Sequence, residues 1–136
     1  MKDQFEAKNN PRVVVIQKLY SNHLNKGSDI IFPKHRYKKF IKDVVIGTIE
    51  RKELIQSLID KELEKDINEK KTDFMVKLMI LAAIYEFMFM HKTPIKVIIS
   101  EYLKASDSFI KPSQKNFLNA ILDKASKISR LEDATS

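Results

Sequence analysis

The chain has no cysteine, and its 136 residues include only two glycines and four prolines. The absence of cysteine excludes disulfide bonds and thiolate metal sites, and it is compatible with a reducing compartment. The scarcity of glycine excludes a glycine-rich loop of the kind that holds a phosphate group. The few glycines and prolines stand where helices are expected to begin or end.

A long hydrophobic run is also missing. The most apolar stretch, LMILAAIYEFMFM at residues 78–90, is about 13 residues long and contains Glu86. A helix that crosses a membrane needs roughly 20 such residues. The N-terminal MKDQFEAKNN has no apolar segment that could serve as a signal peptide. We therefore expect a soluble, cytoplasmic protein with no membrane association.

Catalytic constellations are not evident either. Two acids in apolar surroundings, Glu86 and Glu101, could in principle act in general acid–base catalysis, but no other element of an active site accompanies them. The three histidines lie far apart and form no i, i+4 pair, which argues against a metal site. A Ser-x-x-Lys spacing at residues 108–111 is too short to be informative. We expect a protein that is not an enzyme and that binds no metal or cofactor.

Arginine is scarce in a chain that is nevertheless strongly basic. The formal net charge is +7, and only four of the 25 basic residues are arginines. A domain this basic is expected to meet an acidic partner, most commonly nucleic acid. Lysine, however, holds phosphate as a point charge without the bidentate fork of arginine. Charge alone leaves nucleic-acid binding and an ordinary basic surface equally open.

What the sequence does contain is helical periodicity throughout, which predicts one all-α domain over residues 1–136. Residues 1–10 and 130–136 are expected to be flexible. Asn10-Pro11 predicts a capped helix start. A second pattern runs from His35 to about Glu64, with a bend near Gly47 or near Arg51-Lys52.

The segment from about Thr72 to Met90 predicts the central helix. Its only charged residues from Phe74 onward, Lys77 and Glu86, lie on opposite sides, so no continuous polar face remains. Two further helices are predicted after it, with Thr93 and Ser113 as their N-caps.

Four blocks in this order resemble the NusB family of transcription antitermination factors. They are PRVVVIQKLY at 11–20, LAAIYEF at 81–87, TPIKVIISEYLKASDSF at 93–109 and FLNAILDK at 117–124. The resemblance implies a bundle of two packed helical subdomains with five to seven helices. It also implies binding of boxA-type single-stranded RNA together with NusE, a ribosomal small-subunit protein, within the antitermination complex on RNA polymerase. Glu86 and Glu101 would then be framework acids.

The resemblance also implies where RNA is bound. The expected contacts are the N-terminal basic residues, two positions on the first long helix and the start of the last helix: Lys2, Lys8, Arg12, Gln17, Tyr20, Ser113, Asn116, Phe117 and Asn119. Phe117 is expected either to stack on a base or to pack in the core with the apolar stripe of its helix, and Tyr20 either to contact RNA or to pack in the core. The asparagines would reach base edges. The family usually has an arginine-rich segment where this chain has AKNNPR at residues 7–12. Fewer phosphate contacts there predict weaker RNA binding.

Two further surfaces are predicted. Lys34, Lys38 and Lys42 follow an i, i+4 spacing and would form a basic ridge along one helix face, either as a second phosphate contact or as an ordinary solvated face. The NusE contact is expected near residues at the start of the central helix, although the acidic contact that the resemblance implies is not evident: Asp73, Val76 and Lys77.

Two alternatives remain open from the sequence. One is a structural helical protein, which self-associates as a homodimer or larger oligomer and has lost RNA binding. The other is an RNA-binding domain like the NusB-like module of ribosomal RNA methyltransferases, in which a catalytic domain would be expected to follow. RNA binding in the presence and absence of NusE would distinguish them.

Overall fold

The computed structural model describes the backbone of residues 4–68 and 70–130, and the side chains of residues 7–68 and 70–130. Over these residues it contains seven α-helices and no β-strand, which confirms the predicted all-α class. The helices are α1 (Gln4–Asn9), α2 (Pro11–Leu24), α3 (Lys38–Glu50), α4 (Lys52–Glu62), α5 (Phe74–Phe89), α6 (Ile95–Ser106) and α7 (Pro112–Ser129). None of the helices in the described ranges is long and apolar enough to cross a membrane.

Helix α5 is the centre of the fold, as its all-round apolar sequence predicts. It packs against α2, α3, α4, α6 and α7. Glu86 is fully buried, whereas Lys77 on the other side of the helix is half-buried. Burial on nearly every side explains why no polar face is present in this segment.

The other helices form two groups that share α5. Helices α2 and α3 pack on each other, as do α6 and α7, and α2 also contacts α6. The buried side chains of both groups form one continuous hydrophobic cluster with those of α5. The two predicted subdomains are therefore joined through a common core.

The predicted helix starts are only partly correct. Asn10 caps α2 as expected, because its Oδ1 accepts hydrogen bonds from the N–H groups of Arg12 at 3.0 Å and Val13 at 3.4 Å. Thr93 does not cap α6, since Pro94 has an extended backbone and is itself the N-cap. Ser113 does not cap α7, which begins one residue earlier, at Pro112.

The break predicted within the long helical pattern is confirmed at the second of the two expected positions. The long pattern from His35 divides at Arg51, where the ψ angle of 11° interrupts the helix and separates α3 from α4. The residues expected to be flexible at the N-terminus include α1, which packs on α2. Gly47 permits close packing of α3 on α5, because a Cβ at this position would lie 2.2 Å from the Tyr85 ring.

Candidate nucleic-acid interface

The two acids considered for catalysis occupy different environments. The Glu86 carboxylate is fully buried and accepts hydrogen bonds from Arg12 Nε at 3.0 Å, Arg12 Nη2 at 2.6 Å and the Tyr102 hydroxyl at 2.5 Å. Glu101 is only half-buried, and its Oε2 lies 3.9 Å from Lys104 Nζ. Glu86 is thus paired with Arg12, and Glu101 with Lys104. The arrangement around Glu86 joins α2, α5 and α6 through polar contacts in the core.

Arg12 must consequently be removed from the predicted RNA-binding set. Its side chain is 8% exposed, and its guanidinium lies over the rings of Phe40 at 4.8 Å and Tyr102 at 5.4 Å. Burial alone would lower the pKa of Arg12, but the hydrogen bonds and negative charge of Glu86 outweigh this effect and raise it. Arg12 therefore stays charged and neutralises the buried carboxylate of Glu86.

Tyr102 completes this buried group. Burial, and then the neighbouring negative charge of Glu86, raise the pKa of Tyr102 well above its ordinary value of about 10. The hydroxyl therefore remains protonated and can donate to Glu86 at any physiological pH.

A second buried arginine, Arg130, was expected in a fraying tail and is instead fixed at the end of α7, where it is 2% exposed. Its guanidinium donates to four backbone carbonyls, those of Glu86 at 3.0 Å, Phe87 at 2.7 Å, Met90 at 3.2 Å and Thr93 at 2.8 Å. A cation at the C-terminal end of α5 is also favoured by the helix dipole. No local sequence signal indicated this contact, because its partners lie about 40 residues away in the chain.

Three of the predicted RNA-contacting or ridge residues do meet, in a groove that we call the N-terminal groove. It has a volume of about 690 Å³ and lies between the end of α1, one side of α2 and the segment before α3. Its lining consists of Ala7, Lys8, Val14, Gln17, Lys18, Ser21, Pro33, Lys34 and His35. Among the lining residues whose side chains the structure describes, three are lysines and none is acidic.

Hydrogen bonds through His35 fix one wall of the N-terminal groove. His35 Nδ1 accepts the backbone N–H of Tyr37 at 2.9 Å, and Nε2 lies 3.0 Å from the carbonyl oxygen of Lys8. Since Nδ1 is the acceptor, Nε2 carries the hydrogen and donates to Lys8. The contact joins the segment before α3 to the end of α1 and brings Lys8 and Lys34 to the same groove. Lys18 was missed from the sequence, although it shares a helix face with Val14 and Ser21.

The predicted residues of α7 lie elsewhere. Ser113, Asn116, Phe117 and Asn119 are all exposed, and Phe117 is 39% exposed. Asn119 lines a second groove of about 450 Å³ between α6 and α7, together with Lys96, Ser100, Lys104, Lys115 and Asp107, among others. None of the four α7 residues lines the N-terminal groove. The described residues therefore provide two separate basic grooves.

The predicted basic ridge is not one surface. Lys34 precedes α3, which begins at Lys38, so the helical spacing does not extend back to Lys34. Lys42 lines a different groove, in which Asp43 and Glu50 supply opposite charge. Of the three residues predicted to form the ridge, only Lys34 lines the N-terminal groove.

The three residues predicted to contact a protein partner do not share one exposed surface either. Val76 is 1% exposed and is withdrawn as a contact, because its side chain is part of the core. Asp73 is exposed and caps α5 through the N–H of Met75 at 2.8 Å, while Lys77 lines a third groove. Tyr20 lies near this third groove, since its ring centroid is 6.0 Å from that of Phe74, a lining residue. Tyr20 does not line the N-terminal groove, and its predicted RNA contact stays a prediction.

Lys2 lies outside the described residues, so its predicted contact stays a prediction. Within the described residues, no group of three or more histidine, aspartate or glutamate side chains is arranged to hold a metal ion.

Comparisons with known proteins agree with this architecture. The sequence model of the NusB family matches residues 4–127. The transcription antitermination protein NusB of Rhodopseudomonas palustris strain BisB5 is 26% identical over 96 residues, which cover 71% of this chain and 55% of that protein. The NusB of Nitrobacter hamburgensis is 28% identical over 88 residues, which cover 65% of this chain and 55% of the relative. The chain thus spans about half the length of these curated relatives.

A solved structure supports the fold. The T. maritima NusB structure superimposes with a TM-score of 0.77 at 22% identity, covering 94% of this chain and 96% of that one. The similarity therefore extends over nearly all of both folds.

We predict that Glu86→Gln lowers the free energy of unfolding by about 3–5 kcal/mol, because it leaves the buried guanidinium of Arg12 without a counter-charge. The double variant Arg12→Met/Glu86→Leu should recover much of this loss. Urea unfolding followed by circular dichroism measures both. A Glu86→Gln variant as stable as the parent protein would show that the charge of Glu86 is not part of the framework.

We also predict a specific loss of stability in alkali. Above about pH 10 the unfolded chain releases the proton of Tyr102, whereas the folded protein retains it, so the free energy of unfolding falls as pH rises. Tyr102→Phe should abolish this contribution and give a flatter dependence above about pH 10. Urea unfolding of both proteins across that range is the test, and parallel curves would contradict the prediction.

Proposed function

Because the chain belongs to the NusB family, we propose that it is a transcription antitermination factor that binds boxA-type nascent RNA together with the ribosomal protein NusE. In this role the pair joins the antitermination complex on RNA polymerase in the cytoplasm. It suppresses termination chiefly during synthesis of ribosomal RNA. The protein acts through binding alone, without a cofactor or a catalytic step.

The observation that carries this proposal is the composition of the N-terminal groove. Lys8, Lys18 and Lys34 come from three separate segments, and none of the described residues that line the groove is acidic. A groove of this charge favours an extended polyanion, and each lysine can replace one condensed counterion at a phosphate. Gln17, in the same groove, has an amide that can pair with a base edge.

The start of α7 supplies the second half of the proposed RNA surface. Phe117 is exposed enough to stack on an unpaired base, and Asn116 and Asn119 flank it with amide groups. Of the three lysines in the adjacent α6–α7 groove, Lys115 is paired with Asp107 and Lys104 with Glu101, so we assign Lys96 to the phosphate backbone. Single-stranded RNA is bound elsewhere by this same combination of stacking, amides and positive charge.

NusE is proposed to bind at the start of α5. Asp73 and Lys77 lie there, and the exposed ring of Tyr20 is next to Phe74 of the same helix. This surface is distinct from the N-terminal groove, because different residues of α2 line the two grooves. RNA and protein could therefore be bound at the same time.

We predict that Lys8→Gln/Lys34→Gln weakens binding of boxA RNA and lowers the magnitude of the slope of log K against log salt by about 1.4, or about 0.7 for each lost phosphate contact.

Phe117→Asp should weaken binding of boxA RNA by about tenfold or more through loss of stacking, with helicity unchanged. Fluorescence titration of labelled RNA at several salt concentrations, with and without NusE, measures both effects.

The matched controls introduce the same kinds of substitution at exposed residues outside the proposed RNA surface. Lys61→Gln/Lys65→Gln removes two exposed charges at and after the end of α4, and Leu54→Asp replaces an exposed apolar residue of α4. Controls that weaken binding as much as the test variants would refute the assigned surface. No RNA binding with or without NusE, combined with self-association, would favour a structural oligomer. Binding that is independent of NusE would favour an RNA-binding module like that of ribosomal RNA methyltransferases.

A further inference from the structure

Among the described residues, two exposed aromatic rings each have an arginine side chain over them. The guanidinium carbon of Arg36 is 5.4 Å from the centroid of the Tyr37 ring, and Tyr37 is 43% exposed. The guanidinium carbon of Arg51 is 4.8 Å from the centroid of the Phe89 ring, and Phe89 is 41% exposed. An accessible ring beside a positive charge is typical of sites that hold unpaired bases, because every base has a π face and every nucleotide carries a phosphate.

The charge around the two rings differs. Phe89 lines a groove in which Asp43 and Glu50 supply negative charge, and this charge repels a phosphate. The sequence around Tyr37 has no acidic residue between Asp29 and Asp43, and five lysines and arginines lie in that interval. Charge complementarity therefore favours a nucleic acid at Tyr37 and not at Phe89.

The basic side chains on either side of Tyr37 are not neutralised by the protein. Lys34, Arg36 and Lys38 are exposed, and none of them forms an ion pair with another described residue. Lys39, in contrast, lies 2.9 Å from Asp43. A polyanion is thus attracted to the start of α3, where the exposed ring lies.

Tyr37 is held beside the N-terminal groove, although it does not line it. His35, which does line the groove, accepts the N–H of Tyr37 through Nδ1 at 2.9 Å and the N–H of Lys38 through its carbonyl oxygen at 3.2 Å. The ring centroids of His35 and Tyr37 are 6.0 Å apart. These contacts fix the turn before α3, so a strand that leaves the groove at His35 meets the Tyr37 ring next.

The N-terminal groove needs such a ring to hold a base by stacking. Its described lining residues include three lysines and Gln17, but no phenylalanine, tyrosine or tryptophan. Phosphate contacts position a strand without holding its bases, and single-stranded RNA is usually bound by stacking as well. Tyr37 is the exposed aromatic residue that the turn at His35 places next to this groove.

We propose that Tyr37 stacks on an unpaired base of single-stranded RNA at the edge of the N-terminal groove, while Arg36 and Lys38 contact the flanking phosphates. His35 is the positioning residue that joins this stacking site to the groove. The inference rests on the proposed function in that the N-terminal groove binds RNA. It adds a base-binding position that lies outside the lining of both basic grooves.

The test separates base contacts from phosphate contacts with two labelled strands, a short oligouridine RNA and an abasic strand with the same ribose–phosphate backbone. Tyr37→Leu in the full chain should weaken binding of oligouridine about tenfold, because the ring is lost. Binding of the abasic strand and the salt slopes of both strands should not change, since no phosphate contact is lost. Tyr37→Phe, which keeps the ring, should bind like the parent protein. Fluorescence anisotropy at several salt concentrations measures binding, and circular dichroism confirms that each variant is folded.

Phe89→Leu is the matched control, because it removes a similarly exposed ring that also lies beneath an arginine. It should leave the binding of both strands unchanged. Lys38→Gln should give the complementary result to Tyr37→Leu. It should weaken binding of both strands and lower the magnitude of the slope of log K against log salt by about 0.7 for each.

Several results would overturn the inference. These are no binding of oligouridine by the parent protein, equal affinity of the parent protein and Tyr37→Leu for oligouridine, or an equal loss in Phe89→Leu. A loss in Tyr37→Leu that is the same for both strands would also do so. Loss of NusE binding in Tyr37→Leu, with oligouridine binding unchanged, would assign the ring to a protein partner instead.

The inference and the proposed function can fail separately. If Lys8→Gln/Lys34→Gln weakens binding of boxA RNA while Tyr37→Leu leaves oligouridine binding unchanged, only the inference is lost. If oligouridine binding depends on the Tyr37 ring while boxA RNA is not bound even with NusE, the inference stands and the proposed function fails alone.

Discussion

A single carboxylate, that of Glu86, sits fully buried in the most apolar helix of the protein and must be neutralised there. Arg12 and Tyr102 meet this requirement from α2 and α6, through three hydrogen bonds to the two carboxylate oxygens. Removing a buried charge from water is costly unless the geometry of its partners is good. The contact thereby specifies how α2 and α6 lie on α5, which apolar packing alone would leave less sharply defined.

The position of α2 matters because two of the grooves depend on it. Ser21 lines the N-terminal groove and His23, two residues later, lines the third groove, at the start of α5. A separation of two residues places side chains on nearly opposite sides of a helix. Arg130 fixes the other end of the framework by binding the last carbonyls of α5. The two buried arginines therefore support the surfaces from the interior of the protein.

Local patterns predicted local structure well. The Asn10-Pro11 start and the all-round apolar character of α5 depend on neighbouring residues, and both were confirmed. The roles of Arg12 and Arg130 were misjudged because their partners lie 74 and about 40 residues away. Lys34 was placed on a helix face by spacing alone, whereas the backbone becomes helical only at Lys38.

The central claim is that opposite sides of α2 serve different partners, with RNA on one and protein on the other. The most direct test places a photo-crosslinking amino acid at Ser21 or at His23 and irradiates the protein with boxA RNA and NusE together. The account predicts that the probe at Ser21 crosslinks to RNA and the probe at His23 to NusE. Crosslinking of both positions to the same partner, or the reverse assignment, would contradict it.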